Sequence, residues 1–97
     1  MMRTKLLNKS SLLYTSYLWS DYDKNDPRIS GLPDETKFNR SEGNQVLYMI
    51  NALIVDWGLE GSEGGQKIER MIKNYLPFNV TSQIDVKTWL KHNWKSY

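Results

Sequence analysis

A chain of 97 residues has room for one hydrophobic core and not two. Apolar residues make up 39% of it, and four Trp, six Tyr and two Phe supply bulk, so a core is feasible without cross-links. No cysteine is present, which excludes a disulfide framework, thiolate chemistry, iron–sulfur clusters and the usual zinc fingers.

The net charge of +2 is too small to imply nucleic acid by itself, but its distribution is uneven. Residues 1–20 carry Arg3, Lys5 and Lys9 and no acid. Residues 21–35 carry five acids against Lys24 and Arg28, and residues 62–97 carry six bases against three acids. Apolar runs near the N-terminus reach only two or three residues, too short for a signal peptide or a membrane span. The expectation is a soluble, cytoplasmic protein with no membrane contact.

The first segment, 4–19, places Leu6, Leu7, Leu13, Tyr14, Tyr17 and Leu18 in a helical stripe, broken by Ser10 and Ser11. Thr15 and the two tyrosines favour strand, and helix is the reading taken. Residues 20–38, SDYDKNDPRISGLPDETKF, form a connection, because Pro27, Gly31 and Pro33 interrupt regular structure. Ile29, Leu32 and Phe38 are candidates to pin it to the core.

The spacing predicts a central helix over about 40–57. Asn39 and Glu42 have the separation of a capping box, and Gly58 follows as a left-handed stop. Between them Val46, Leu47, Ile50, Leu53, Ile54 and Trp57 recur at helical spacing, so this helix requires cover on more than one side. LEGSEGG then reads as a turn, with Ser62 or Gly64 opening the next helix. Ile68, Met71, Ile72, Tyr75 and Leu76 give that helix a single apolar face, and Pro77 ends it. Ser82 caps a last helix whose apolar side is Val86, Trp89, Leu90 and Trp94. The fold expected is all-α: a small single-domain bundle of three to four helices around the central one, with a long loop at about 20–38.

Few residues suggest chemistry. Asp21, Asp23 and Asn25 match the first three ligands of an EF-hand loop, but Asp26 replaces the turn glycine and Leu32 stands where the bidentate Glu belongs. No metal or cofactor is expected. His92 is the sole histidine and sits where a helix C-terminus favours a positive ring. The glycines of GSEGGQK lack phosphate-loop spacing. The chain is therefore read as not an enzyme.

Two binding readings remain. A long connection inside a compact domain is commonly functional, so the first reading is a partner-binding loop with Trp19, Asp21, Tyr22, Asp23, Asp26 and Arg28 as contact residues, against a loop that only wraps the core. The alternative is a helix-turn-helix-like pair at 66–95 that binds DNA. Lys87, Lys91 and Lys95 share one face of the last helix, with His92, Thr88 and Asn93 beside them to reach bases. Against it stand a turn longer than usual and the lack of arginine in the last helix. Trp57, Trp89, Trp94 and Tyr97 could serve as a stacking platform for single strands, or as core. A homodimer is compatible with either reading, since the central helix carries so much apolar surface.

The run GLPDETKFNRSEGNQVLYMINALI at 31–54, with its pattern P-D-x-x-x-F-N-R-x-E-G, and the later T-S-Q-x-x-V-K-x-W, resemble small, mostly uncharacterised proteins carried by phages and prophages of enteric bacteria. The resemblance implies an accessory role, through binding one host protein or through regulating transcription. It assigns no residue a chemical role.

Overall fold

The apolar rod at the centre of the sequence is the centre of the fold. The structure, a computed structural model, describes residues 6–59 and 61–97. Helix α1 runs Gly43–Trp57, α2 runs Gly61–Asn74 and α3 runs Gln83–Asn93, and 3-10 turns occupy Lys9–Ser11 and Trp94–Ser96. α1 packs on α2, and α2 on α3. Val46, Met49, Ile50, Leu53 and Ile54 of α1 have no exposed surface, and Ile68, Ile72, Val86 and Leu90 from the other helices are equally closed off. Each such side chain contributes roughly 1.5–3 kcal/mol by leaving water. Most of the apolar surface that suggested a dimer is thus covered within one chain, though Val55 is 64% exposed and Leu47 and Trp57 are partly open.

The ends of α1 show what was legible and what was not. Gly58 adopts φ 62°, and the Gly58 and Leu59 N–H groups both donate to the Ile54 carbonyl, the expected left-handed stop. The capping box does not form. The helix begins one turn later, at Gly43, and the Asn39 side chain instead accepts from the Ser41 N–H at 2.9 Å. The Glu42 carboxylate turns away to Ser20, and the Gln45 side chain accepts from the Asn39 N–H at 2.8 Å.

α2 begins at Gly61, earlier than expected, and absorbs glycines that read as a turn. Close packing explains Gly65: a Cβ there would lie 2.7 Å from Leu7 Cδ1 and 3.1 Å from Ile50 Cγ2. At the other end of α2, Arg40 donates to the carbonyls of Ile72, Leu76 and Pro77, placing a cation on the negative end of the helix. α3 starts as expected, with Ser82 Oγ accepting from the Asp85 N–H at 3.2 Å.

The helix expected over 4–19 is not present across 6–19, and residues 4 and 5 lie outside the described residues. Ser10 and Ser11 both donate to the Asn8 side chain, which builds the short turn Lys9–Ser11 in competition with a helix. Beyond it the chain is extended. Leu12, Tyr14, Tyr17 and Trp19 face inward while Leu13, Thr15, Ser16 and Leu18 face out, a period of two with one slip after Tyr14. Apart from Leu18, which bonds to the Ser41 and Gly43 backbone, its backbone groups bond to helix side chains. The Asn51 amide pairs with both the N–H and the C=O of Leu7. Glu69, fully buried, accepts from the N–H groups of Leu13 and Tyr14 and from the Tyr17 hydroxyl. Burial, and after it the bond to Glu69, pushes the Tyr17 phenol above its ordinary pKa.

Isolated bridges join Leu18 to Glu42 and Lys37 to Ser82, without strands among the described residues. The radius of gyration, 12.4 Å, is close to the roughly 12.5 Å of a compact chain this long, so the segments flanking the helices are packed down on them. No helix among the described residues is long and apolar enough to cross a membrane.

Candidate functional site

The 20–38 connection is built onto the helices by polar side chains that the apolar periodicity does not mark. Trp19 leads into it. Its indole lies on Gly43, where a Cβ would come within 2.5 Å of the ring, and it meets Tyr17 edge-on at 6.0 Å. The Lys9 ammonium sits 4.1 Å above the ring. Ser20 follows, held by the Glu42 carboxylate on one side and by Asn44, which donates to its carbonyl at 2.6 Å, on the other. Tyr22 accepts a hydrogen bond from the Gln45 amide at 3.1 Å.

A tight turn comes next. The Asp26 carboxylate accepts from the Arg28 N–H and from the guanidinium at 2.7 and 3.0 Å, and Arg28 lies 4.2 Å over the Tyr22 ring. Hydrogen bonds from Arg28 hold the Asp26 carboxyl well below the usual range, at about 2.

The second half of the loop is held by the start of α3. Gln83, fully buried, donates to the Pro27 and Arg28 carbonyls and accepts from the Asp34 N–H. The backbone N–H groups of Gln83 and Ile84 donate to the Thr36 and Asp34 carbonyls, and the Phe38 N–H donates to Thr81. These α3 donors are the orphan groups of a helix start, so the loop caps α3 while α3 orders the loop. Tyr48 of α1 donates to the Gly31 carbonyl at 2.8 Å.

The expected contact residues therefore divide. Asp21 and Asp23 are exposed, and no salt bridge engages either among the described residues. Tyr22, Asp26 and Arg28 form one joined unit. Trp19 is half-buried and chiefly anchors the loop to α1. Of the residues expected to pin the loop, Phe38 is buried and Ile29 partly so, whereas Leu32 is 85% exposed. Asp21, Asp23 and Asp26 do not converge into a cation cage, since Asp26 faces Arg28.

Arg28 also borders a groove of about 450 Å³ between the loop and the α2–α3 connection. Lys37, Asn39, Arg40 and Thr81 share its lining with Phe78, which is 89% exposed on the connection. Arg40 lies 5.0 Å over the Phe78 ring, and burial lowers its pKa. Neither Phe78 nor Lys37 stands out in the sequence, because a single aromatic beside Pro77 reads as core edge.

The residues of the DNA-binding alternative are more scattered. Lys87 pairs with Asp56 at 2.9 Å. Thr88 donates to the Ile84 carbonyl and Asn93 to the Trp89 carbonyl, so two of the three expected base readers bond within their own helix. Lys91, His92 and Lys95 instead gather at a groove of about 390 Å³ with Trp57, Leu59 and Trp94. Searches of protein-family models, curated proteins and solved structures give no match to this chain.

Proposed function

We propose that the chain is a non-catalytic binding protein that presents its 20–38 loop to a macromolecular partner, in keeping with its resemblance to accessory proteins of phages. One observation carries the reading: Gln83 and its neighbours hold an otherwise irregular loop in place, so that it walls a groove offering Arg28 and the exposed Phe78. A preorganised loop binds without a large ordering cost. Exposed aromatic side chains and arginine are both enriched at protein–protein interfaces. Asp21 and Asp23, outside the groove, would set charge preference and association rate.

The alternative of a duplex-binding pair at 66–95 has less behind it. Residues 75–82 separate the two helices, and Lys87, Thr88 and Asn93 are already engaged.

Immobilised protein incubated with nuclease-treated bacterial lysate tests the first reading. The native protein retains a partner; Phe78→Ala and the double variant Asp21→Lys with Asp23→Lys, each folded by circular dichroism, retain it weakly. Equal retention by all three removes the loop from the reading. Capture seen only in a parallel lysate not treated with nuclease reports nucleic acid rather than a protein partner.

A further inference from the structure

We propose that the groove at the C-terminal ends of α1 and α3, with the strip of rings and cations continuing from it, is a binding track for single-stranded nucleic acid. The groove is floored by two indoles, Trp57 and Trp94, whose centroids lie 5.4 Å apart, edge to face. Lys91, His92 and Lys95, all exposed, stand around it. Among the described residues no carboxylate lines it, and the acid on α1, Asp56, is engaged by Lys87.

The track does not stop there. Lys67 of α2 lies 4.3 Å over the Trp94 ring and also lines two further depressions with Arg70. The second of these reaches Tyr75 and Tyr97, which stack at 4.1 Å, and Trp89 lies 6.1 Å beyond Tyr97. Glu63, in the first depression, is the one acid along this path among the described residues. Rings half open to solvent thus alternate with Lys67, Arg70, Lys91 and Lys95.

That alternation fits one chemistry. Unpaired bases offer flat faces to stack on aromatic side chains, while the phosphates between them meet lysine and arginine. A duplex hides its base faces, so it would use the cations and leave the rings idle. The short C-terminal turn Trp94–Ser96 brings Trp94, Lys95 and Tyr97 to the track together. This surface is separate from the 20–38 loop, and the inference stands whether or not the loop binds a protein.

The probe is an oligo-dT of about 12 nucleotides, within the roughly 4–16 typical of single-strand sites. Native protein at low salt should bind it with quenched tryptophan emission. Log K should fall against log salt with a slope of about −2 to −3, as for three or four neutralised phosphates. Lys91→Gln with Lys95→Gln should make that slope shallower by about 1.4, and Tyr97→Ala should weaken binding roughly 5-fold or more by loss of one stack. Both variants replace exposed residues, and circular dichroism confirms their fold. Lack of binding at low salt overturns the proposal. So does equal affinity for a duplex of the same length, displacement by a poly-glutamate peptide at matched charge, or a lysine variant that binds with an unchanged slope.

Discussion

Replacing Glu69 tests how the N-terminal segment is held. Its carboxylate is fully buried and is the acceptor for the Leu13 and Tyr14 N–H groups and for the Tyr17 hydroxyl. Glu69→Ala leaves all three donors without a partner. A buried donor left unpaired costs about 1–3 kcal/mol, the charge on glutamate having strengthened each bond. Tyr17 is buried and bears the full cost, while water can reach the two amides of the more open Leu13 and Tyr14. The sum is about 3–4 kcal/mol, a large part of the 5–15 kcal/mol typical of a domain. The corresponding fall in Tm is about 12–30 °C for this size. Glu69→Gln keeps one acceptor oxygen and costs about 1–2 kcal/mol. Urea unfolding followed by tryptophan emission measures both. Tyr17→Phe combined with Glu69→Gln should cost less than the sum of the two, since the pair shares a bond. Were the segment a helix, its amides would bond within it and Glu69→Ala would cost less than about 1 kcal/mol beyond packing; that result, or strict additivity in the double variant, refutes the reasoning.

Other outcomes follow from the loop. Gln83→Ala strips three hydrogen bonds, one each from Pro27, Arg28 and Asp34, and should cost about 2–3 kcal/mol while raising amide exchange at Asp34. Gly43→Ala drives a methyl into the Trp19 ring, so it should cost about 1–3 kcal/mol by overpacking and shift the Trp19 indole resonance. Asp26 has its pKa lowered in the fold, so the stability it adds is fully present above the ordinary carboxylate value of 3.8 and is lost as pH falls through about 2. An NMR titration should place its midpoint near 2, and Arg28→Ala should return it towards 3.8.

The three helices were legible because their apolar residues repeat at helical spacing and their ends carry Gly58, Pro77 and Ser82. The N-terminal segment was not. Its leucines and tyrosines satisfy a helical stripe as well as an alternating one, and what decides between them is Asn51 and Glu69, more than forty residues away. The capping box failed for a similar reason, since Glu42 had a distant claim from Ser20. A signal for such residues does exist. Glu69 lies at i−3 from Ile72, and Gln83 at i−3 from Val86 and i−7 from Leu90, so each is a polar residue on a buried face. Of the candidate contact residues, Asp21 and Asp23 sit where a loop reading puts them, whereas the anchoring role of Trp19 depends on Gly43, which spacing alone does not reveal.

Backbone relaxation by ¹⁵N NMR across residues 20–38 reaches the centre of the account, which is that an irregular loop is held ready by the helices beneath it. Order parameters near the roughly 0.85 of rigid backbone are the result predicted there, matching α1 and α3; values below about 0.6 would mean a loop that moves freely, and would contradict it.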